Sequence, residues 1–175
     1  MIVSFTGHRP DKISAWRGAP ERTELAIRKR TAEAILELAR EGATTFMSGM
    51  APGFDLWAAD EVLRLRAEGQ IGAEVRLVLA VPYPSFERSF GVEYRPLYEY
   101  IMARADEVVY VSPGYHHGCY QRRNAFLADG ADVVLAYYEG TEGGTRQTMR
   151  MAAKQGRRVI NLHQGELFDQ QHSDV

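Results

Sequence analysis

Short apolar runs alternate with longer segments of helical periodicity along the chain. The apolar runs lie at positions 2–5, 44–47, 75–81, 107–111, 132–137 and 158–162. Most are apolar at consecutive positions, which is typical of parallel strands buried on both faces. The alternation predicts βαβ units, and therefore an α/β domain whose mostly parallel sheet of five or six strands lies between layers of helices.

The first helical segment divides into an apolar stripe and a charged face. The predicted stripe consists of Leu25, Ala32, Ile35, Leu36 and Ala39. Residues 28–30 (RKR) lie largely on the opposite face, so we expect them to be solvated. Four glycines follow predicted helices, where a residue of positive φ ends a helix before the next strand. They are Gly42, Gly69, Gly130 and Gly156.

The segment 82–96 is the least regular part of the chain. It places four aromatic side chains among polar residues, namely Tyr83, Phe86, Phe90 and Tyr94. We expect this segment to cross a sheet edge or to form one wall of a cleft.

Length and charge fit a single folded domain over residues 1–175. The chain has 21 Lys and Arg against 23 Asp and Glu, a net charge of −2. This balance excludes a polybasic protein that holds nucleic acid or a membrane by long-range attraction. No apolar run approaches the roughly 18 residues that cross a bilayer, so no membrane partner is expected. With a single cysteine, Cys119, and no recognisable leader, the expected compartment is the cytoplasm.

Residues 48–55 (SGMAPGFD) lead from the second predicted strand into a helix. Loops that follow parallel strands meet at one edge of the sheet, where helix N-termini present free N–H groups to ligands. Gly49 and Gly53 allow a tight turn with exposed amides, and Ser48 offers a hydroxyl. Asp55 is placed to bind a ribose hydroxyl; the alternative is a Gly-Pro turn in which Asp55 only caps the helix.

Residues 139–145 (EGTEGGT) join the fifth predicted strand to the last helix, with Thr145 as the predicted N-cap. The glycines give the backbone close access to a phosphate, which a Cβ would block. A flexible surface turn is the alternative. Because two such loops stand at two helix N-termini, we favour a shared phosphate site.

Residues 6–10 (TGHRP) follow the first predicted strand, and His8 and Arg9 can each contact an anion. They do not form the G-x-G-x-x-G fingerprint of dinucleotide-binding proteins. Ser48 ends the second strand, where an acidic ribose ligand is expected in that class. A hydride-transferring dehydrogenase is therefore not favoured.

Residues 120–124 (YQRRN) open the fourth predicted helix. Arg122 and Arg123 lie at the positive end of the helix dipole, which is unfavourable unless an acidic group or a phosphate lies nearby. The alternative is a solvated arginine pair. His116, His117 and Cys119 precede them, but neighbouring residues rarely ligate one ion well and no second ligand cluster is visible. We expect a loop there and no metal site.

These motifs resemble, in order and spacing, the Rossmann-like domain of the DprA/Smf DNA-processing proteins across residues 48–162. With residues 6–10 and the small size, the whole chain resembles the YpsA-type proteins more closely. Both belong to the SLOG superfamily, which also holds the LOG phosphoribohydrolases. The resemblance implies a Rossmann-like, doubly wound α/β fold with five to seven strands and helices on both faces.

In that superfamily the glycine loops and an arginine of the fourth helix bind phosphate groups. The resemblance and the loop chemistry together define the candidate phosphate-binding residues: Thr6, Gly7, His8, Arg9, Ser48, Gly49, Gly53, Asp55, Arg123, Asn124, Gly143, Gly144, Thr145 and Thr148. The LOG enzymes carry a catalytic glutamate where this chain has Thr148. Asp55 and Glu142, with Glu139 beside them, are the remaining candidate carboxylates.

The favoured function is therefore the binding or sensing of a nucleotide or nucleotide-derived small molecule, with no other cofactor predicted. One alternative is a hydrolase that cleaves the N-glycosidic bond of a nucleotide. Another is single-stranded DNA binding as in DprA, with Tyr115 and Tyr120 as stacking surfaces. A local patch suits a mononucleotide better than a polymer; its expected members are Arg9, Arg122, Arg123, Arg146 and Arg150. The resemblance also implies self-association into homo-oligomers.

Overall fold

The computed structural model describes residues 1–163 and the backbone of residues 166–167. Six parallel strands form the sheet, and each coincides within two residues with a predicted strand. They are β1 (Ile2–Gly7), β2 (Thr45–Ser48), β3 (Arg76–Val81), β4 (Glu107–Tyr110), β5 (Val133–Tyr137) and β6 (Arg158–Asn161). A two-residue strand, β7 (Glu166–Leu167), pairs antiparallel to β6.

The strand order, β4-β3-β2-β1-β5-β6-β7, reverses direction beside β1. The chain adds β2, β3 and β4 outward on one side of β1 and then returns to place β5 on the other side. The carboxyl ends of β1 and β5 lie in register, with Gly7 opposite Tyr137. Ligands of open α/β sheets bind in the crevice at such a reversal, because the connections on its two sides run to opposite faces of the sheet.

Five helices cover the two faces of the sheet in the described part of the chain. They are α1 (Pro20–Arg40), α2 (Phe54–Ala67), α3 (Arg95–Met102), α4 (Cys119–Gly130) and α5 (Gly144–Lys154). Right-handed crossovers place α1, α2 and α3 on one face and α4 and α5 on the other. The fold is thus the Rossmann-like, doubly wound α/β architecture that the sequence predicts.

A separate apolar core lies on each face of the sheet. On the face of α1 to α3, the ring of Phe5 stacks on Phe46 at 5.7 Å and meets Phe54 edge-on at 6.3 Å. On the other face, Met149 and Ala152 of α5 pack against strand residues such as Val134. The alternation of side chains along each strand supplies both cores, which explains why the strands are apolar at consecutive positions.

The predicted apolar stripe of α1 is wrong at Leu25, which is 70% exposed. The buried face runs instead through Thr31, whose hydroxyl donates to the carbonyl of Ile27 at 2.7 Å and so satisfies its polar group. The prediction of a solvated 28–30 segment is wrong for Arg28. Its guanidinium donates to Asp60 of α2 at 2.7 Å, an ion pair that fastens the two helices together.

Two predicted helix ends differ from the structure. Gly130 is the last residue of α4 and has no positive φ, unlike Gly42, Gly69 and Gly156. A Cβ at Gly130 would lie 3.0 Å from the Met47 methyl group, so close packing is what favours glycine there. At the start of α5, Gly143 is the N-cap, whereas Thr145, the predicted N-cap, lies inside the first turn.

The segment 82–96 forms two short 3-10 helices and the start of α3, and its rings pack against one another. Phe86 is fully buried and contacts Tyr83 at 5.7 Å and Phe90 at 5.3 Å. Tyr83 in turn reaches Tyr120 of α4, joined by a 3.2 Å hydrogen bond between the two hydroxyls. The segment therefore supports the first turn of α4.

Candidate functional site

A cavity of about 220 Å³ opens at the carboxyl ends of β1 and β5, where the strand order reverses. The first turns of α2, α4 and α5 form its walls. Ten of the candidate phosphate-binding residues line it: Thr6, Gly7, His8, Arg9, Asp55, Arg123, Asn124, Gly143, Gly144 and Thr145. Residues that are far apart in sequence thus meet at one crevice.

The N-terminus of α5 presents free backbone donors to this cavity. The first helical hydrogen bond of α5 runs from Gln147 N to Gly143 O at 3.1 Å, so the preceding N–H groups have no carbonyl one turn earlier. Gly143, with φ 146°, lets the chain enter the helix at this sharp angle. A Cβ on Gly143 would lie 3.0 Å from Lys12 Nζ, and one on Gly144 would lie 3.1 Å from Asn124 Nδ2. The missing side chains keep this corner open to an anion.

Arg123 is a buried cation whose hydrogen-bond acceptors are neutral. Its side chain is 7% exposed and donates to the carbonyl of Gly49 and, at 3.1 Å, to Asn124 Oδ1. Within the described residues it has no carboxylate in an ion pair, and burial lowers the pKa of the guanidinium. The charge of Asp55 stabilises the guanidinium without an ion-pair contact, so an anion bound in the cavity would stabilise it further.

Asp55 is a buried carboxyl group in the same cavity. Oδ2 accepts a 3.4 Å hydrogen bond from Ala51 N, whereas Oδ1 has no hydrogen-bond partner among the described residues. Burial raises the pKa of Asp55 to about 6, although the charges of Arg123 and Arg9 oppose the shift. Oδ1 is itself buried, so Asp55 retains an acceptor whose hydrogen bond is unmade among the described residues.

His8 holds the loop of α5 in place and does not act as a cation. Its Nε2 accepts a 3.0 Å hydrogen bond from Glu139 N, so the proton of the neutral ring is on Nδ1. Burial lowers the pKa of His8, which favours this neutral form. The positive groups that line the cavity are therefore Arg9, Lys12 and Arg123.

Four candidate residues lie outside the cavity lining: Ser48, Gly49, Gly53 and Thr148. The Ser48 hydroxyl donates to Asp55 O at 2.9 Å and accepts from Met50 N at 3.2 Å, so it is occupied within its own loop. The buried Thr148 donates to Gly144 O at 3.0 Å. Both hydroxyls therefore stabilise the backbone near the cavity without lining it.

Gly49 and Gly53 are required by close packing. A Cβ on Gly49 would lie 2.6 Å from an Arg123 guanidinium nitrogen. A Cβ on Gly53 would lie 2.6 Å from the carbonyl oxygen of His8, and the φ of Gly53 is +90°. Both distances are too short for a real side-chain carbon: Gly53 lets the start of α2 approach the chain after β1, and Gly49 leaves room for the Arg123 side chain of α4.

Two of the candidate carboxylates are engaged with other groups. Glu142 lines the cavity rim, but its side chain is 79% exposed and forms an ion pair with Arg146. Glu139 accepts from Ser14 N at 2.9 Å and from the Tyr137 hydroxyl at 3.2 Å. Asp55 is thus the carboxylate with an unpartnered oxygen inside the cavity.

The five arginines of the predicted patch do not lie together. Arg9 and Arg123 line the cavity, whereas Arg122 is exposed and outside it. Arg146 and Arg150 line a second surface cavity of about 270 Å³ together with Lys154, along one side of α5. The two cavities share Glu142 and Gly143 and are therefore contiguous.

Sequence reasoning missed part of the cavity lining: Lys12, Ala51, Leu127 and Thr141. Lys12 follows the 6–10 motif in a 3-10 turn and donates from Nζ to Glu142 O at 3.2 Å. A basic residue two positions beyond a candidate anion loop was the available signal. The apolar members, Ala51 in the loop before α2 and Leu127 within α4, had no such signal, because apolar residues there look like core.

The segment 116–119 forms a loop and the start of α4. His116 bonds through Nε2 to Ser112 Oγ at 3.0 Å and through Nδ1 to His117 O at 2.8 Å. Cys119 is a fully buried free thiol. No group of three His, Cys, Asp or Glu side chains placed to hold a metal occurs among the described residues.

The fold and the crevice define a Rossmann-like α/β protein with a ligand cavity at the reversal of strand order. The family model YpsA, described as the YspA SLOG family, matches residues 3–164. The chain therefore belongs to the YspA SLOG family.

Two curated relatives cover nearly the same region. A UPF0398 protein of Bacillus cereus (strain B4264) is 22% identical over 164 residues, covering 93% of this chain and 87% of the relative. A UPF0398 protein of Bacillus thuringiensis (strain Al Hakam) has the same identity and coverage.

Two solved structures have a similar fold. DNA processing protein A (DprA) from Helicobacter pylori, whose structure concerns its single-stranded DNA binding mode, has a TM-score of 0.62 and 18% identity over 92% of this chain. DprA from Streptococcus pneumoniae has a TM-score of 0.61 and 18% identity over 91% of this chain. This chain spans 64% and 49% of those two longer chains, respectively. Across the described residues, no helix has the length and apolar character needed to cross a membrane.

Proposed function

We propose that the protein binds a nucleotide or nucleotide-derived small molecule, with a phosphate group at the N-terminus of α5. The observation that carries the proposal is the convergence on one cavity of free helix N–H groups, Arg9, Lys12 and Arg123, which forms no ion pair among the described residues. Helix N-termini and arginine forks are the two groups that proteins use most readily for phosphate.

Asp55 supports a nucleotide over a simple inorganic anion. A carboxylate repels phosphate but accepts hydrogen bonds from hydroxyl groups, and Asp55 lines the same cavity as the phosphate donors. A ligand with a phosphate at one end and a ribose next to it satisfies both groups. The cavity position at the reversal beside β1 agrees with this assignment.

The proposal is tested by calorimetric titration with AMP, ADP, ribose 5-phosphate and pyrophosphate. We expect saturable binding that Arg9→Gln and Lys12→Gln each weaken about tenfold, the loss expected for one charge-assisted hydrogen bond. Arg22→Gln, at an exposed position of α1 away from the cavity, is the matched control and should bind like the wild type. Absence of binding to every member of this panel would overturn the proposal.

Single-stranded DNA binding is a second candidate, favoured by the row Arg146, Arg150 and Lys154 that continues from the cavity along α5. The similarity to DprA gives this candidate further support. Its signature is an affinity for an oligonucleotide that falls steeply with salt and decreases in Arg150→Gln. Weak binding that Arg150→Gln leaves unchanged would remove it.

Hydrolysis of a bound nucleotide is a third candidate, favoured by the raised pKa of Asp55. A carboxyl group with a pKa of about 6 can act as a general acid near neutral pH. Incubation with AMP followed by chromatography should then show free adenine or adenosine, absent with Asp55→Asn. Recovery of intact AMP after long incubation would rule this candidate out for that substrate.

A further inference from the structure

Tyr115 exposes its aromatic ring to solvent beside the cavity. At 70% exposure it is the most exposed aromatic side chain among the described residues. Its ring meets Tyr83 edge-on at 5.6 Å and Tyr120 edge-on at 6.4 Å. Tyr120 lines the cavity, so Tyr115 stands one ring away from it, at the rim formed by the first turn of α4.

The support beneath Tyr115 is rigid. Tyr83 is 9% exposed, packs on the buried Phe86 and shares a hydrogen bond of 3.2 Å with the Tyr120 hydroxyl. The loop that carries Tyr115 is fastened by the next residue, His116, whose ring bonds to Ser112 Oγ and to His117 O. A ring already placed by contacts with Tyr83 and Tyr120 loses less conformational entropy when a ligand stacks on its exposed part.

The size of the cavity determines which part of a nucleotide reaches this ring. Its volume of about 220 Å³ is below the roughly 300–1,000 Å³ of sites that enclose a whole small-molecule ligand. A phosphate at α5 and a ribose at Asp55 fill the charged part of the cavity. The base must then extend past the rim, and Tyr120 with Tyr115 forms the aromatic part of that rim.

We propose that Tyr115 is the base-stacking residue of the ligand site, and that the ligand is a nucleotide whose base lies on this ring. The inference rests on the proposed phosphate site and extends it by naming the residue that recognises the base. Stacking uses the π-face that every base offers, so this residue selects for the presence of a base more than for its identity.

The test compares AMP with ribose 5-phosphate, which is the same phosphate and sugar without the base. By calorimetry, wild type should bind AMP more tightly, and Tyr115→Ala should weaken AMP binding by about five- to 150-fold, the range for one stacked base. Affinity for ribose 5-phosphate should stay within about twofold, and Tyr115→Phe should restore AMP binding because the ring is kept.

Tyr110→Ala is the matched control, since Tyr110 is 48% exposed on β4 and, unlike Tyr115, has no ring contact with Tyr120. It should leave both affinities unchanged. If wild type binds the two ligands equally, or if Tyr115→Ala weakens both to the same extent, the assignment of Tyr115 is wrong while the phosphate site stands. If wild type binds neither ligand, the phosphate site and the stacking residue are overturned together.

Discussion

The two glycine loops of this protein look alike in sequence but differ in what surrounds them. Both follow a parallel strand and open a helix. In the loop 48–53, the space where side chains would stand is filled: by the Arg123 guanidinium at Gly49 and by the backbone of His8 at Gly53. In the loop 140–145, Gly143 and Gly144 face a cavity with only the ends of Lys12 and Asn124 near them.

This difference separates two physical reasons for a glycine before a helix. One is close packing, in which an added Cβ collides with backbone, as at Gly53, or with a buried side chain, as at Gly49. The other is access, in which the backbone N–H groups must stay open to a ligand. The first loop fixes the position of α2 and Arg123, and the second offers the donors that Arg123 assists.

The largest expected effect is on stability, in the packed loop. Gly53→Ala should lower the free energy of unfolding by about 3 kcal/mol or more, since it combines positive-φ strain with a collision against the His8 carbonyl. Gly42→Ala is the control: Gly42 also has a positive φ, +103°, but nothing lies within 4 Å of its added Cβ. It should cost about 1–2 kcal/mol. Equal losses in urea unfolding would contradict the packing role of Gly53.

Gly144→Val tests the open loop. The unliganded variant should lose about 1–2 kcal/mol of stability, because the added atoms meet the Asn124 amide, which bonds to Arg123 Nε and Gln147 Oε1. A ligand at a hundred times its Kd adds about 2.7 kcal/mol to wild-type stability, and this gain should disappear in the variant. Gly18→Val, at an exposed glycine with open space around it, should keep the full gain in a thermal shift experiment.

Asp55 lies at the start of α2, directly after the packed loop, and also lines the cavity, although its unpartnered Oδ1 is buried. Its pKa rises from 3.8 to about 6 on folding, so the native state holds the proton at higher pH than the unfolded chain does. Stability from this group is therefore lost as pH rises from about 4 to about 6, and at pH 7 the buried charge costs roughly 2–3 kcal/mol. Asp55→Asn should be more stable than wild type at pH 7.5 and similar at pH 4.

Urea unfolding at the two pH values measures this effect, with the exposed Asp11→Asn as the control. If wild type and Asp55→Asn show the same pH dependence, the carboxyl is not desolvated in solution. The cavity would then lack the buried acceptor that the ribose assignment uses.

The smallest effect is expected at Glu142, on the outer side of the open loop. Its ion pair with Arg146 is solvent-exposed, so Glu142→Gln should change the free energy of unfolding by less than about 0.5 kcal/mol. Binding of AMP should stay close to wild type, because the helix N–H groups are unaffected. A tenfold or larger loss of affinity would show that Glu142 itself contacts the ligand.

Much of the fold follows from the sequence because buried parallel strands are apolar at consecutive positions. The predicted run at 107–111, for example, becomes Glu107–Tyr110, and that at 132–137 becomes Val133–Tyr137. Single side chains were harder to place. Arg28 looks like a surface residue in its own helix, but the approach of α2 partly buries it against Asp60 and Glu61. The helical spacing predicts that Leu25 is part of the buried face of α1, but Leu25 is exposed and the buried residues include Thr23 and Thr31.

The sequence predicted which loops and helix ends form the candidate site, but not which of their residues line the cavity and which only stabilise the loops. The sequence placed Gly144, Arg123 and Asp55 at ends of helices that meet at one sheet edge, and all three line the cavity. Ser48 was a candidate ligand because it carries a hydroxyl, but that hydroxyl is bonded to Asp55 O and Met50 N. Hydrogen-bond partners depend on the folded backbone, so residue type alone could not tell a free group from an occupied one.

By itself, the sequence determined the α/β class, the positions of the strands and the two loops in which glycine precedes a helix. Periodicity and glycine placement are local properties, so they can be recognised from the sequence alone. The tertiary structure decided that β5 pairs with β1 and so brings residues 140–145 opposite residues 6–12. It also decided which loop is packed and which is open. Whether a missing side chain leaves space depends on which distant atoms occupy that space.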